Sequence, residues 1–200
     1  MVEGDETADS YKITADLLLS KKGDKSKVIN YLFKAADLYG DEHRNKAIDC
    51  LEEIYKNVRG STSEFEPEQY FRFLHLLGRA YEELKEIGKA ADIYSELAKE
   101  VYKSIKEIEG EVDYSQLQQM KKFSAYLAKA LMLYDSIEKY DHILKLARAY
   151  YKVFPLLQKK EVIHRELFFC YEHIINAADI TGSRYFREYY AELDRKLRIS

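Results

Sequence analysis

From Pro67 to Glu86 the chain reads PEQYFRFLHLLGRAYEELKE, and its apolar side chains do not fit on one stripe of a helix. A surface helix in a two-layer protein buries about a third of its circumference. Here Tyr70, Phe71, Phe73, Leu74, Leu76, Leu77, Ala80, Tyr81 and Leu84 cover far more than that. Such a helix must be packed on at least two sides. Its polar positions, Arg72, His75, Arg79, Glu82, Glu83 and Glu86, step by three or four and leave one narrow open line. Stacked helical pairs produce this pattern, because each helix is held between neighbours.

The rest of the chain agrees with a helical stack. Only two prolines occur in 200 residues, Asn-Gly and Asp-Gly turns are missing, and Ala, Leu, Glu and Lys dominate. The expected class is all-α. Apolar periodicity breaks at Gly23, Gly40, Gly60, Gly88, Gly110 and Gly182, where a glycine C′ residue would end a helix. Pro155 marks a stop and Pro67 a start. Cutting there predicts about nine helices: 7–21, 26–39, 43–58, 67–86, 89–108, 114–135, 139–154, 158–178 and 183–198. Short connections make consecutive helices antiparallel. GSTSEFEPE, from Gly60 to Glu68, is the one long connection. A single domain over 1–200 is expected, with residues 1–6 flexible.

The formal charge of −3, from 32 basic and 35 acidic residues, gives no footprint for nucleic acid, despite Lys21, Lys22, Lys25, Lys27, Lys121 and Lys122. Glu3, Asp5 and Glu6 make the start acidic, and Arg195, Lys196 and Arg198 make the end basic. No apolar run is long enough to span a bilayer, and the first ten residues lack the features of a signal peptide. Cys50 and Cys170 are far apart within apolar helical patterns and read as buried free thiols. A cytoplasmic protein is expected.

Chemistry is not evident. Phosphate loops, G-x-S-x-G, H-E-x-x-H and C-x-x-C motifs are missing. Cys170 and His173 are three apart on one helix, but His164 is well round it and no fourth ligand is evident. These read as packed or surface side chains. The reading is therefore non-enzymatic, with no cofactor and no metal. Eighteen tyrosines and no tryptophan read chiefly as core filling, since tyrosine spans wide gaps while its hydroxyl reaches water.

LLGRAYEELKEIGKAADIYSEL, residues 76–97, resembles the tetratricopeptide repeat, a helix-turn-helix unit of about 34 residues. Leu77-Gly78 and Tyr81 match its first helix; Ala90 and Tyr94 match its second. Gly78 and Ala90 have little side chain and are expected to let the two helices cross closely, with Gly88 turning the chain. Weaker matches run from Val28 to Asn57 and from Phe123 to Pro155. The order AIDCLEEIYKN, LLGRAYEEL, KAADIYSELAKEVY also looks like the long-helix repeats of SNAP-type vesicle-fusion adaptors. The resemblance implies a right-handed array of antiparallel helices whose first helices line a concave groove. Carried over, the groove positions are Arg72, His75, Arg79, Glu82 and Glu83, the same line that periodicity leaves open.

In the weaker first unit the corresponding positions, Ile29, Leu32, Ala36 and Tyr39, are apolar. Helix 7–21, with its Leu17-Leu18-Leu19 run, is expected to cover them. The last helix places Tyr185, Phe186, Tyr189, Tyr190, Leu193 and Leu197 on one broad face, as a capping helix would. The expected function is a protein-interaction adaptor that binds a peptide or partner helix in the groove. The alternatives are a subunit self-associating through the last helix, which could form a homodimer, and a nucleic-acid-binding repeat.

Overall fold

The computed structural model describes residues 2–40, 42–58, 67–106, 108 and 112–199. Residues 60–66 of the long connection and Gly110 lie outside them, as do the side chains of Glu3 and Asp5. The described residues contain no strand, and the class is all-α. Ten α-helices follow in order: α1 (Val2–Ser20), α2 (Lys25–Tyr39), α3 (Arg44–Val58), α4 (Pro67–Glu83), α5 (Ile87–Ile105), α6 (Tyr114–Ser136), α7 (Tyr140–Tyr150), α8 (Phe154–Gln158), α9 (His164–Thr181) and α10 (Arg184–Ile199). A 3-10 turn, Glu161–Ile163, precedes α9.

The helix beyond the expected nine is α8. Pro155 does not simply stop a helix; it sits in the first turn of this new one. Proline suits that position, where its missing N–H would have no helical acceptor. α1 begins at Val2 rather than at residue 7.

The chain divides into two compact units, Met1–Ala80 and Tyr81–Ser200, and α4 supplies residues to both. In the first unit α1 packs along α2, and α2 along α3. α2 starts at an Asp24 N-cap, whose carboxylate accepts from the Ser26 N–H at 2.9 Å. Its buried residues, Val28, Ile29, Leu32, Ala35, Ala36 and Tyr39, recur at helical spacing. All four positions expected under α1 are therefore covered. Of the leucine run, Leu17 is 53% exposed while Leu18 and Leu19 are half-buried, so the run forms only part of the covering face. Ala8 and Ala15, both fully buried, and Tyr11, which stacks on Tyr31 at 5.9 Å, also belong to it. Small residues let α1 approach closely, and polar contacts then fix it. The Tyr39 hydroxyl donates to Asp9 at 2.5 Å, and Lys12 reaches Glu53 on α3 at 2.7 Å. α4 joins through Phe73, whose ring meets Phe33 edge-on at 5.7 Å and Tyr55 at 6.4 Å.

In the second unit α5 and α6 pair extensively, α6 also packs on α9, and α9 meets α7 and α10. α6 begins with a capping box: Asp113 accepts from the Gln116 N–H, and the Gln116 side chain accepts from the Asp113 N–H. Two aromatic clusters fill the interior. Tyr102, Phe123 and Tyr150 meet with centroids 4.9 to 5.8 Å apart. Phe154, Tyr171 and Tyr190 meet at 5.3 to 5.9 Å.

Four of the corners between helices share one geometry. At Lys22, Lys85, Glu138 and Gly182 the chain takes a positive φ of 51°, 59°, 58° and 70°. Each N–H there bonds back three residues, and the next N–H bonds back five, as in Lys85 to Glu82 (3.0 Å) and Glu86 to Tyr81 (2.9 Å). This is the Schellman closure, which satisfies the last carbonyls of a helix. Three of these four corners use a charged residue, and at two of them, Lys22 and Lys85, the turn lies ahead of the glycine expected to make it, Gly23 and Gly88. Gly88 is not the turn: α4 ends at Glu83, Lys85 turns the chain, and Gly88 lies in the first turn of α5.

Candidate functional site

α4 separates its side chains sharply. Tyr70, Phe73, Leu74 and Leu77 are buried, as are Gly78 and Tyr81. Arg72, His75 and Arg79, in the first unit, are exposed. The Arg72 side chain is 72% exposed, and its guanidinium lies 4.0 Å from the Asp37 carboxylate on α2. An ion pair this long and this wet holds the side chain weakly. The remaining two positions, in the second unit, differ from each other. Glu83 is exposed, but Glu82 is half-buried and engaged. It accepts from the Tyr94 hydroxyl at 3.1 Å and forms an ion pair with Lys129 on α6. The Lys129 ammonium also lies 5.9 Å from the Tyr94 ring. Glu82 thus ties α5 and α6 to the end of α4, a role that position in the open line did not reveal.

The two histidines of α9 bond within the fold, and its cysteine is buried. The His164 Nε2–H donates to the Gln158 carbonyl at 2.9 Å, and the His173 Nδ1–H donates to Asp135 on α6 at 2.8 Å. Asn176 donates to the other oxygen of Asp135 at 3.1 Å. Cys170 and Cys50 are buried free thiols. Burial pushes the Cys50 thiol up to about 11 and raises Cys170 further. Thiols held protonated are poor nucleophiles and poor metal ligands. The described residues contain no group of three or more candidate metal ligands.

A concavity of about 450 Å³ opens between α6, α9 and α10. Phe168, Glu172 and His173 of α9 form one side, with Asp135 from α6 and Asp194 and Arg198 from α10 opposite. Sequence reasoning missed it because its residues come from helices tens of positions apart. Only the α9 part, with Phe168, Glu172, His173, Asn176 and Asp179 at helical spacing, left a readable trace.

α10 buries a narrower face than its periodicity predicts. Phe186, Tyr190, Leu193 and Leu197 are buried, but Tyr185 is 68% exposed. Tyr185 stacks on Tyr189 at 6.3 Å, and the Tyr189 hydroxyl donates to the Tyr151 carbonyl at 3.2 Å. No helix among the described residues is long and apolar enough to cross a membrane.

No protein-family model matches the chain, and no curated protein does. Among solved structures, the crystal structure of BtubC (BKLC) from P. vanneervenii is similar over 99% of this chain and 89% of that one. The identity is 14% and the TM-score 0.33, too low to establish a common fold.

Proposed function

We propose that the protein is a non-catalytic interaction adaptor, built on helical pairs of the tetratricopeptide type, that receives an acidic peptide or partner helix along α4. One observation carries this reading. α4 buries its aromatic and aliphatic side chains while Arg72, His75 and Arg79 face solvent on the opposite side. Basic groups spaced one helical turn apart on a packed helix fit carboxylates presented at matching intervals. Glu82 acts from within the fold of the second unit.

The test is Arg72→Glu combined with Arg79→Glu in affinity purification from a cytoplasmic lysate, followed by direct titration of each recovered partner. The expected result is loss of specific partners whose binding regions are acidic, with the melting temperature unchanged. An identical partner set, retained with equal affinity, overturns the reading.

Self-association is a second reading, favoured by the exposed Tyr185–Tyr189 stack on α10. Light scattering at tens of micromolar decides it: a monomer excludes it, and a dimer dispersed by Tyr185→Lys supports it.

A further inference from the structure

We propose that the concavity between α6, α9 and α10 is a receptor for an arginine side chain of a basic peptide, and that Arg198 occupies it in the absence of that partner. The Arg198 guanidinium carbon lies 4.4 Å from the centroid of the Phe168 ring, and its Nε–H donates to Asp194 at 2.7 Å. A guanidinium between an aromatic face and a carboxylate is how arginine is recognised, because the planar cation stacks while its N–H groups bond at the edge. The chain therefore displays the chemistry of the site with its own side chain.

Charge points the same way. The walls carry Asp135, Glu172, Asp179 and Asp194 against the single guanidinium of Arg198. Asp179 is neutralised by Arg187 at 2.7 Å, and Asp135 is bonded by His173 and Asn176. Glu172 has no ion-pair partner among the described residues. Glu172 and Asp194 both line the concavity, and of the two Arg198 bonds only Asp194. The occupant is also easily displaced. Arg198 sits in the last turn of α10, its side chain is 57% exposed, and its only ion pair among the described residues is an i,i+4 contact. The concavity has room for a side chain beyond Arg198.

The experiment uses the full chain and a blocked Gly-Arg-Gly tripeptide, titrated against isotope-labelled protein with amide shifts as the readout. The controls are the same tripeptide with citrulline, isosteric but uncharged, and with lysine. Arg198→Ala is expected to bind the arginine probe roughly fivefold more tightly than wild type, the scale of one exposed ion pair. Shifts should cluster on Phe168, Glu172 and Asp194. Glu172→Gln and Phe168→Leu, each in the Arg198→Ala background, should weaken binding severalfold with the fold intact. Lysine should bind less well and citrulline not at all. Equal binding of citrulline, shifts elsewhere, or no saturable binding by Arg198→Ala at millimolar probe overturns the proposal.

Discussion

The Tyr190 hydroxyl donates to the main-chain carbonyl of Ala147 at 2.7 Å, while the hydroxyl of Tyr171, its ring neighbour at 5.9 Å, is buried without a partner among the described residues. The two side chains have the same chemistry and the same burial, so they isolate the value of one hydrogen bond. Removing a partnered buried hydroxyl costs about 1 kcal/mol or more, whereas removing an orphan relieves a desolvation cost of similar size. Tyr190→Phe should lower stability by about 1 kcal/mol, and Tyr171→Phe should leave it unchanged or raise it. Denaturant melts of the two variants and wild type decide the matter.

The corners at Lys85 and Glu138 give a second test. A non-glycine residue in the left-handed region carries a strain of about 1 kcal/mol that glycine avoids. Lys85→Gly and Glu138→Gly should each raise the melting temperature by about 2–4 °C. Gly182→Ala should lower it by a similar amount. A methyl group there would meet nothing within 4 Å, so the backbone alone sets the cost. Scanning calorimetry reads all three.

Asp9 makes the first unit sensitive to acid. The Tyr39 hydroxyl first, and Lys46 second, hold its carboxyl below the ordinary value of 3.8. A depressed acid contributes stability above its unfolded value and loses it as pH falls through the folded one. Tyr39→Phe removes the larger cause. The gap in stability between wild type and this variant should be constant from pH 5 to 7 and shrink below about pH 4. Melting curves across that range measure it.

Cys50 behaves in the opposite sense at high pH. Its thiol, pushed up to about 11 from an ordinary 9.0 by burial, favours the folded state below pH 9. That contribution is lost as pH rises from 9 to 11, because the unfolded thiol ionises first. Native protein at neutral pH should therefore leave both thiols unmodified by a chromogenic disulfide reagent, and denaturant should release both. Rapid native labelling of either would contradict its burial.

Much of this architecture was legible because burial follows helical spacing. The buried set of α2 recurs at i, i+3 and i+4, and α10 shows the same rhythm with Phe186, Tyr190, Leu193 and Leu197. The corners were harder to read. Glycine marks one of the four Schellman corners, Gly182, while Lys22, Lys85 and Glu138 make the same closure, and Gly40 takes a positive φ with a different hydrogen bond, back four residues to Ala36. Hydrogen-bond closure sets the corner, and residue type only adjusts its cost. Tyr185 was misplaced because an aromatic pattern counts hydrophobic surface but not the neighbours that would cover it. Glu82 looked like one more open carboxylate, and only Tyr94 and Lys129, from two further helices, give it another role. The concavity beside Arg198 left least trace, since three helices converge on it and periodicity reads one helix at a time.

The buried phenols have a practical consequence for anyone who handles this protein. With no tryptophan in the chain, tyrosine dominates its near-ultraviolet spectrum. Burial lifts Tyr150 to about 12 and Tyr171 and Tyr190 higher still. Alkaline titration followed by absorbance would then separate surface rings from interior ones, and the delayed phase would track local opening around both aromatic clusters without any attached label.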